Sequence, residues 1–195
     1  MAAATLPTLV THPSRPLYRV PIRDTLHPIQ PSDVLVLFAL TQQDEPWTLR
    51  SLAARLGVQH SKVQRAVDRL AESGLYDAER RRVIPHAAEE FLEHALQYLD
   101  PVQLGPVVRG VPTAWAAAPL SHEIIDEGLQ PVWPDPNGKV RGQSVVPLDA
   151  RLPALAESWP EVAELAALAD ALRLGDSRSR SAALRHMHDR LYPAS

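Results

Sequence analysis

The stretch Thr48-Leu49-Arg50-Ser51-Leu52-Ala53-Ala54-Arg55-Leu56-Gly57-Val58-Gln59-His60-Ser61-Lys62-Val63-Gln64-Arg65-Ala66-Val67-Asp68-Arg69-Leu70 carries the reading of the whole chain. Leu49, Leu52, Ala53 and Leu56 recur at helical spacing, Thr48 supplies an N-cap hydroxyl, and Gly57 marks the C-terminus of a short amphipathic helix. After a turn at Val58, the spacing predicts a second helix over about His60 to Ser73, with Val63, Ala66, Val67 and Leu70 on one stripe. Lys62, Gln64, Arg65 and Arg69 fall on the other. A helix offered to a DNA major groove needs this division. Its buried side fixes it to the domain, while its outer side supplies donors to phosphates and base edges.

Leu75-Tyr76-Asp77 and Arg82-Val83-Ile84 flank Ala78-Glu79-Arg80-Arg81 and read as a β-hairpin with a charged tip. Three consecutive arginines suit flanking phosphates or a narrow minor groove, where guanidinium meets concentrated negative potential. The alternative is a solvated charged loop. The DNA-contacting candidates are therefore Gln59, His60, Ser61, Lys62, Gln64, Arg65 and Arg69 from the helix, with Arg80, Arg81 and Arg82 from the hairpin.

Leu52-Ala53 with Leu56-Gly57-Val58, then Val63, Arg65 and Leu70, then Gly74-Leu75, resemble the turn and recognition helix of bacterial MarR-type winged-helix regulators. The resemblance covers roughly residues 31 to 99 and implies a winged helix-turn-helix, double-stranded DNA as partner and a homodimer reading a palindrome. Two departures accompany it. Gln59 and His60 stand where such helices usually open on Ser or Thr, and the Pro-rich N-terminus does not supply a leading dimerisation helix. A dimer surface would then fall to Pro85–Leu99 or to the C-terminal helices. Helix-turn-helix geometry also serves protein contacts, and the plainer reading is a three-helix core with a solvated charged face.

The composition sets bounds on this. At 195 residues with 45% hydrophobic content, the chain holds enough for one good core or two small ones. It contains no cysteine, which excludes disulfides, thiolate nucleophiles and Cys-ligated zinc and fits a cytoplasmic location. No apolar run reaches the length of a membrane span or forms a signal-peptide core, so no membrane partner is expected. The net charge of -3 hides an asymmetry, since Trp47 to Ile84 holds eight basic residues against four acidic ones. The positive charge collects where the motif needs it.

Residues 1–30 hold Pro7, Pro13, Pro16, Pro21 and Pro28 and read as an extended arm, with Arg15, Arg19 and Arg23 among apolar residues. It serves either as a strap along its own domain or as an arm toward DNA or a partner. A buried helix is expected from about Ser32 to Gln43, capped by Ser32-Asp33, with Trp47 in a short strand beside the hairpin. Another helix is expected from Pro85 to Leu99. On it His86, Glu90 and His94 fall at i, i+4 and i+8, which seldom converge on one ion, so no metal site is assigned.

Residues 100–195 read as a C-terminal α+β extension. Prolines exclude long helices up to Pro147, apart from a short one near Ser121 to Glu127. Gly105 to Trp115 reads as extended, and so do Gln130 to Trp133 and Lys139 to Val146, the last two joined by an Asp135-Pro136-Asn137-Gly138 hairpin turn with positive φ. Helices follow over Leu152 to Ser158, Glu161 to Leu174 and Ser177 to Leu191, the last presenting Arg178, Arg180, Arg185 and Arg190 as a second basic surface or a subunit contact. His122, Asp126, Glu127, Asp135 and Asp149 have no nucleophile elbow, phosphate loop or ligand cluster beside them, so no catalytic residue and no cofactor is assigned. Trp115 and Trp133 either border a small-effector pocket or are packed aromatic residues.

The expected fold is mainly α with small β elements: a winged helix-turn-helix domain over residues 31–99 and the extension over residues 100–195. The expected function is a sequence-specific DNA-binding transcriptional regulator, not an enzyme. The alternative is an interaction protein, an antitoxin or adaptor, whose residues 100–195 hold a protein partner.

Overall fold

A computed structural model of the chain describes residues 27–43, 46–125 and 128–193. Most of the Pro-rich arm, residues 1–26, lies outside the described residues, as do Asp126 and Glu127. The fold is mainly helical with small β elements. Helices α1 (Pro31–Thr41), α2 (Leu49–Leu56) and α3 (His60–Glu72) come first, then a hairpin of β1 (Tyr76–Asp77) and β2 (Arg82–Val83). Helix α4 (Pro85–Glu90) runs through a π-turn (Phe91–Ala95) into α5 (Leu96–Leu99), so the expected Pro85 to Leu99 helix is continuous but locally underwound. Strand β3 (Val107–Pro112), two 3-10 turns (Ala114–Ala116 and Leu120–His122), β4 (Pro131–Pro134) and β5 (Val140–Ser144) lead to α6 (Leu152–Ser158), α7 (Pro160–Leu174) and α8 (Ser177–Leu191).

Helix α1 is apolar on every side, and its residues Val34 to Leu40 are all buried. Such a helix has to be covered all round. Helix α3 and the hairpin cover one side, and α7, itself buried over most of its length, covers another. Each such Leu, Val or Phe contributes about 1.5–3 kcal/mol relative to exposure. The buried residues form one continuous cluster from Val34 to Leu191, and the boundary expected near residue 100 does not divide it. The guanidinium of Arg55 on α2, 3.5 Å from the ring centroid of buried Trp159 ahead of α7, adds a second tie between the halves.

The β element departs from the expected hairpin. Strands β4 and β5 are parallel to each other, and each is antiparallel to β3, which lies opposite β4 from Gly110 to Pro112 and opposite β5 from Val107 to Gly110. The three close into a small barrel. Gly138 is not among the positive-φ residues and marks a close approach instead, since a Cβ there would sit 2.3 Å from the Gly110 backbone. Gly110 and Gly142 are equally tight, with added Cβ atoms 2.1 Å from the Trp133 carbonyl and 2.0 Å from that of Gln130. Three backbones meet where no side chain fits. The short helix expected at Ser121 to Glu127 is the 3-10 turn Leu120–His122.

Asp170 on α7 fastens this barrel to the helices. It is fully buried and accepts from Thr113 Oγ1 (2.7 Å), Trp133 Nε1 (2.6 Å) and Arg173 Nη2 (2.8 Å). Burial pushes its carboxyl above the usual range, and the Arg173 charge and these hydrogen bonds oppose that rise. Arg173 also pairs with Asp100 and donates to the Val146 carbonyl at 2.7 Å. One acid-base pair on α7 thereby ties together the end of α5, the barrel and the segment that leaves it.

Candidate nucleic-acid interface

The α2 to α3 segment is built by local chemistry. Ser51 N donates to Thr48 Oγ1 and Thr48 N donates to Ser51 Oγ, both at 3.0 Å, which satisfies the first turn of α2. Gly57 takes the left-handed conformation (φ 65°) that ends it, and Val58 N reaches back to the Ala53 carbonyl at 2.9 Å. Helix α3 then starts behind Gln59 and buries Val63, Ala66, Val67 and Leu70, as the spacing predicts. Gly74 (φ 74°) turns the chain into the hairpin, where Tyr76 faces Val83 and Asp77 faces Arg82.

The candidate residues separate by their partners. Gln59, His60, Ser61, Lys62 and Arg65 are exposed at the N-terminal half of α3, and Gln64 is half-buried with its amide on Asp68 at 2.7 Å. Arg65 Nε rests on the Ser61 carbonyl at 3.2 Å, which leaves the end of its guanidinium outward. Arg69 does not join them. Its Nε and Nη2 donate to the two oxygens of buried Asp33 at 2.7 and 2.5 Å, so it anchors α3 to α1 instead of facing outward. The expected cap residue Asp33 sits in the first turn of α1 behind an N-cap of Gln30, whose N donates to Asp33 Oδ2 at 2.8 Å.

The hairpin arginines separate in the same way. Arg80 is paired with Asp77 at 3.0 Å, and Asp77 also accepts from the backbone N–H groups of Glu79 and Arg80. The bond from the Arg80 N–H leads the interactions that hold its carboxyl below the usual range. Arg81 folds back. At φ 54°, its guanidinium lies 4.7 Å from the Trp47 ring centroid and donates to the Trp47 carbonyl at 2.6 Å. Trp47 lies outside any strand and supports the hairpin through this arginine and through a tilted contact with Tyr76. Arg82 is exposed, with no ion pair among the described residues.

The outermost face of α3, opposite its buried stripe, carries Ser61, Arg65, Asp68 and Glu72 at i, i+4, i+7 and i+11. Its N-terminal half is basic and its C-terminal half acidic, so an anionic partner can approach only the first two turns. No family model, curated protein or solved structure matches this chain. Its chemistry is therefore argued from its own residues.

On α8 only Arg185 and Arg190 are paired with carboxylates among the described residues, while Arg178 and Arg180 rest on backbone carbonyls and keep their charge. Arg178 and Arg185 meet Glu123, Arg180 meets the carbonyls of Leu172 and Glu93, and Arg190 meets Glu164. Trp133 is buried against Asp170, and open cavities lie beside Trp47 and beside α3. No group of three metal-ligating side chains converges among the described residues, and none of their helices is long and apolar enough to cross a membrane. Sequence reasoning missed the Asp33 and Asp170 anchors. Their signal was a lone acid inside an apolar run, Asp33 in α1 and Asp170 between Leu165 and Leu172, since an uncompensated buried charge is too costly to keep.

Proposed function

We propose that the chain is a sequence-specific DNA-binding transcriptional regulator in which α1 to α3 and the β1–β2 hairpin act as a winged helix-turn-helix. The observation that supports this best is the combination on α3 of a fully anchored inner face with exposed His60, Ser61, Lys62 and Arg65 on its first two turns. The N-terminal turns of a recognition helix are the ones that reach base edges. Lys62 and Arg65 supply base or phosphate contacts, and Arg82 is the hairpin cation best placed to meet the flanking backbone. The MarR-type resemblance, dimeric binding to a palindrome and action in the cytoplasm belong to the same proposal.

Fluorescence anisotropy with a duplex from the gene's own upstream region and a scrambled duplex tests it. The expected result is a preference for the upstream duplex, lost with Lys62→Ala/Arg65→Ala, and a salt slope reduced by about 1 with Arg82→Ala. Equal, weak binding to both duplexes overturns it.

Two observations favour the second reading, a protein-binding adaptor. Tyr98 is 79% exposed and Val146 is 68% exposed, and the Arg173 side chain holds Asp100 and the Val146 carbonyl around itself. A stable complex lost on Tyr98→Ala/Val146→Ser and kept on Lys62→Ala/Arg65→Ala supports that reading instead.

A further inference from the structure

A groove of about 640 Å³ lies between the start of α1, the flank of α3 and the loop ahead of α6. Its volume is that of a small-molecule site. Four cations line it, Lys62, Arg65, Arg69 and Arg151, against two carboxylates, Asp33 and Asp149. Both carboxylates are occupied: Asp33 holds Arg69, and Asp149 is paired with Arg151 Nη2. That leaves Lys62 and Arg65 without a carboxylate, while Arg151, its charge met by Asp149, offers unused N–H donors. Lys62 is exposed and has no ion pair among the described residues, Arg65 uses only its Nε, and Arg151 Nε is buried with no hydrogen-bond partner. A guanidinium has five N–H donors, and Arg151 uses one of them on Asp149. The floor is apolar, formed by Leu56, Val63 and Ala66, and a low-dielectric wall strengthens any ion held against it.

We propose that this groove is an oxyanion site that takes a phosphate group, with Lys62 and Arg151 as its two principal ligands and Arg65 at its rim. The α3 flank supplies one jaw and the C-terminal half supplies the other. The phosphate comes either from a free phosphorylated small molecule or from the backbone of a bound duplex, and the chemistry of the seat is the same for both. A cationic ligand does not fit. The planar guanidinium forks onto two phosphate oxygens, while the ammonium of Lys62 acts as a point charge.

Isothermal titration of pyrophosphate into the full-length protein, at ionic strength matched with chloride, tests the seat without any DNA. The expected result is saturable binding, weakened about ten-fold by Arg151→Gln and by Lys62→Gln. Arg178→Gln on α8 leaves it unchanged. Should Arg151→Gln lower the melting temperature, Arg151→Lys keeps the charge but removes the fork and is expected to bind at an intermediate level, while exposed Lys62→Gln carries the main comparison. Absence of saturable heat at millimolar pyrophosphate overturns the proposal, and so does heat that is equal in wild type, Arg151→Gln and Lys62→Gln. Duplex titration with the same variants separates the sources. Displacement of duplex by pyrophosphate, with weaker duplex binding by Arg151→Gln, assigns the seat to backbone phosphate, whereas duplex affinity indifferent to both assigns it to a free ligand. Pyrophosphate binding in a protein with no duplex preference upholds the seat and removes only the regulator reading.

Discussion

Arg69 and Asp33, 36 residues apart, form a two-pronged ion pair with Asp33 1% exposed and the arginine side chain 13% exposed. The pair bolts the last turn of α3 to the first turn of α1 and takes one arginine out of the candidate interface. Removing the arginine strands a buried carboxylate. Arg69→Ala is expected to cost about 3 kcal/mol in urea unfolding, with specific DNA binding by the folded fraction retained. In a double-mutant cycle with Asp33→Asn, the coupling is expected to exceed about 1 kcal/mol. A stable Arg69→Ala protein that has lost only DNA affinity contradicts this assignment.

Arg81 occupies a left-handed backbone conformation that L side chains adopt at a cost of about 1 kcal/mol or more. The Trp47 stack and carbonyl bond offset it. Arg81→Ala loses those contacts and keeps the backbone cost, whereas Arg81→Gly loses the contacts and relieves it. Arg81→Gly is therefore expected to be the more stable of the two by about 1 kcal/mol, read from paired thermal melts.

The barrel tolerates no side chain at its centre. Gly110→Ala and Gly142→Ala each place a Cβ against a backbone carbonyl that cannot rotate away, and each is expected to cost about 3 kcal/mol. Gly105→Ala meets the Ser144 hydroxyl instead, a side-chain atom that can move, so its expected cost is about 1 kcal/mol. Urea midpoints of the three variants give the comparison. Equal costs would mean that the close backbone approaches do not matter.

Glu123 holds α8 through His186 at 2.5 Å and Arg185 at 2.8 Å. The His186 hydrogen bond, with support from the Arg185 charge, keeps its carboxyl below the usual carboxylate range. A depressed acid stabilises the folded state above its unfolded pKa and loses that contribution as the pH falls through the folded value. The melting temperature of Glu123→Gln is accordingly expected to fall below wild type at neutral pH, with the gap closing on acidification below the ordinary Glu range. A gap that widens in acid runs against the assignment.

The helices were legible because their signals are local. Thr48, Gly57 and the 63, 66, 67, 70 stripe specify α2 and α3 within a few residues, and the all-apolar run of α1 already required cover on every side. Exposed Lys62 and Arg65 follow from the same periodicity. The barrel was not legible, because Asn137-Gly138 carries the local signature of a hairpin turn while the contact that sets the topology is Gly138 against the Gly110 backbone. The sequence alone also cannot tell which arginines are left for a partner. Arg55, Arg69 and Arg81 look alike along the chain, yet each is neutralised or stacked by a residue at least 34 positions away: Trp159, Asp33 and Trp47. Local spacing determined which faces are polar, while the tertiary structure decided which charges on those faces remain unpaired, because ion pairing depends on distance in space rather than along the chain.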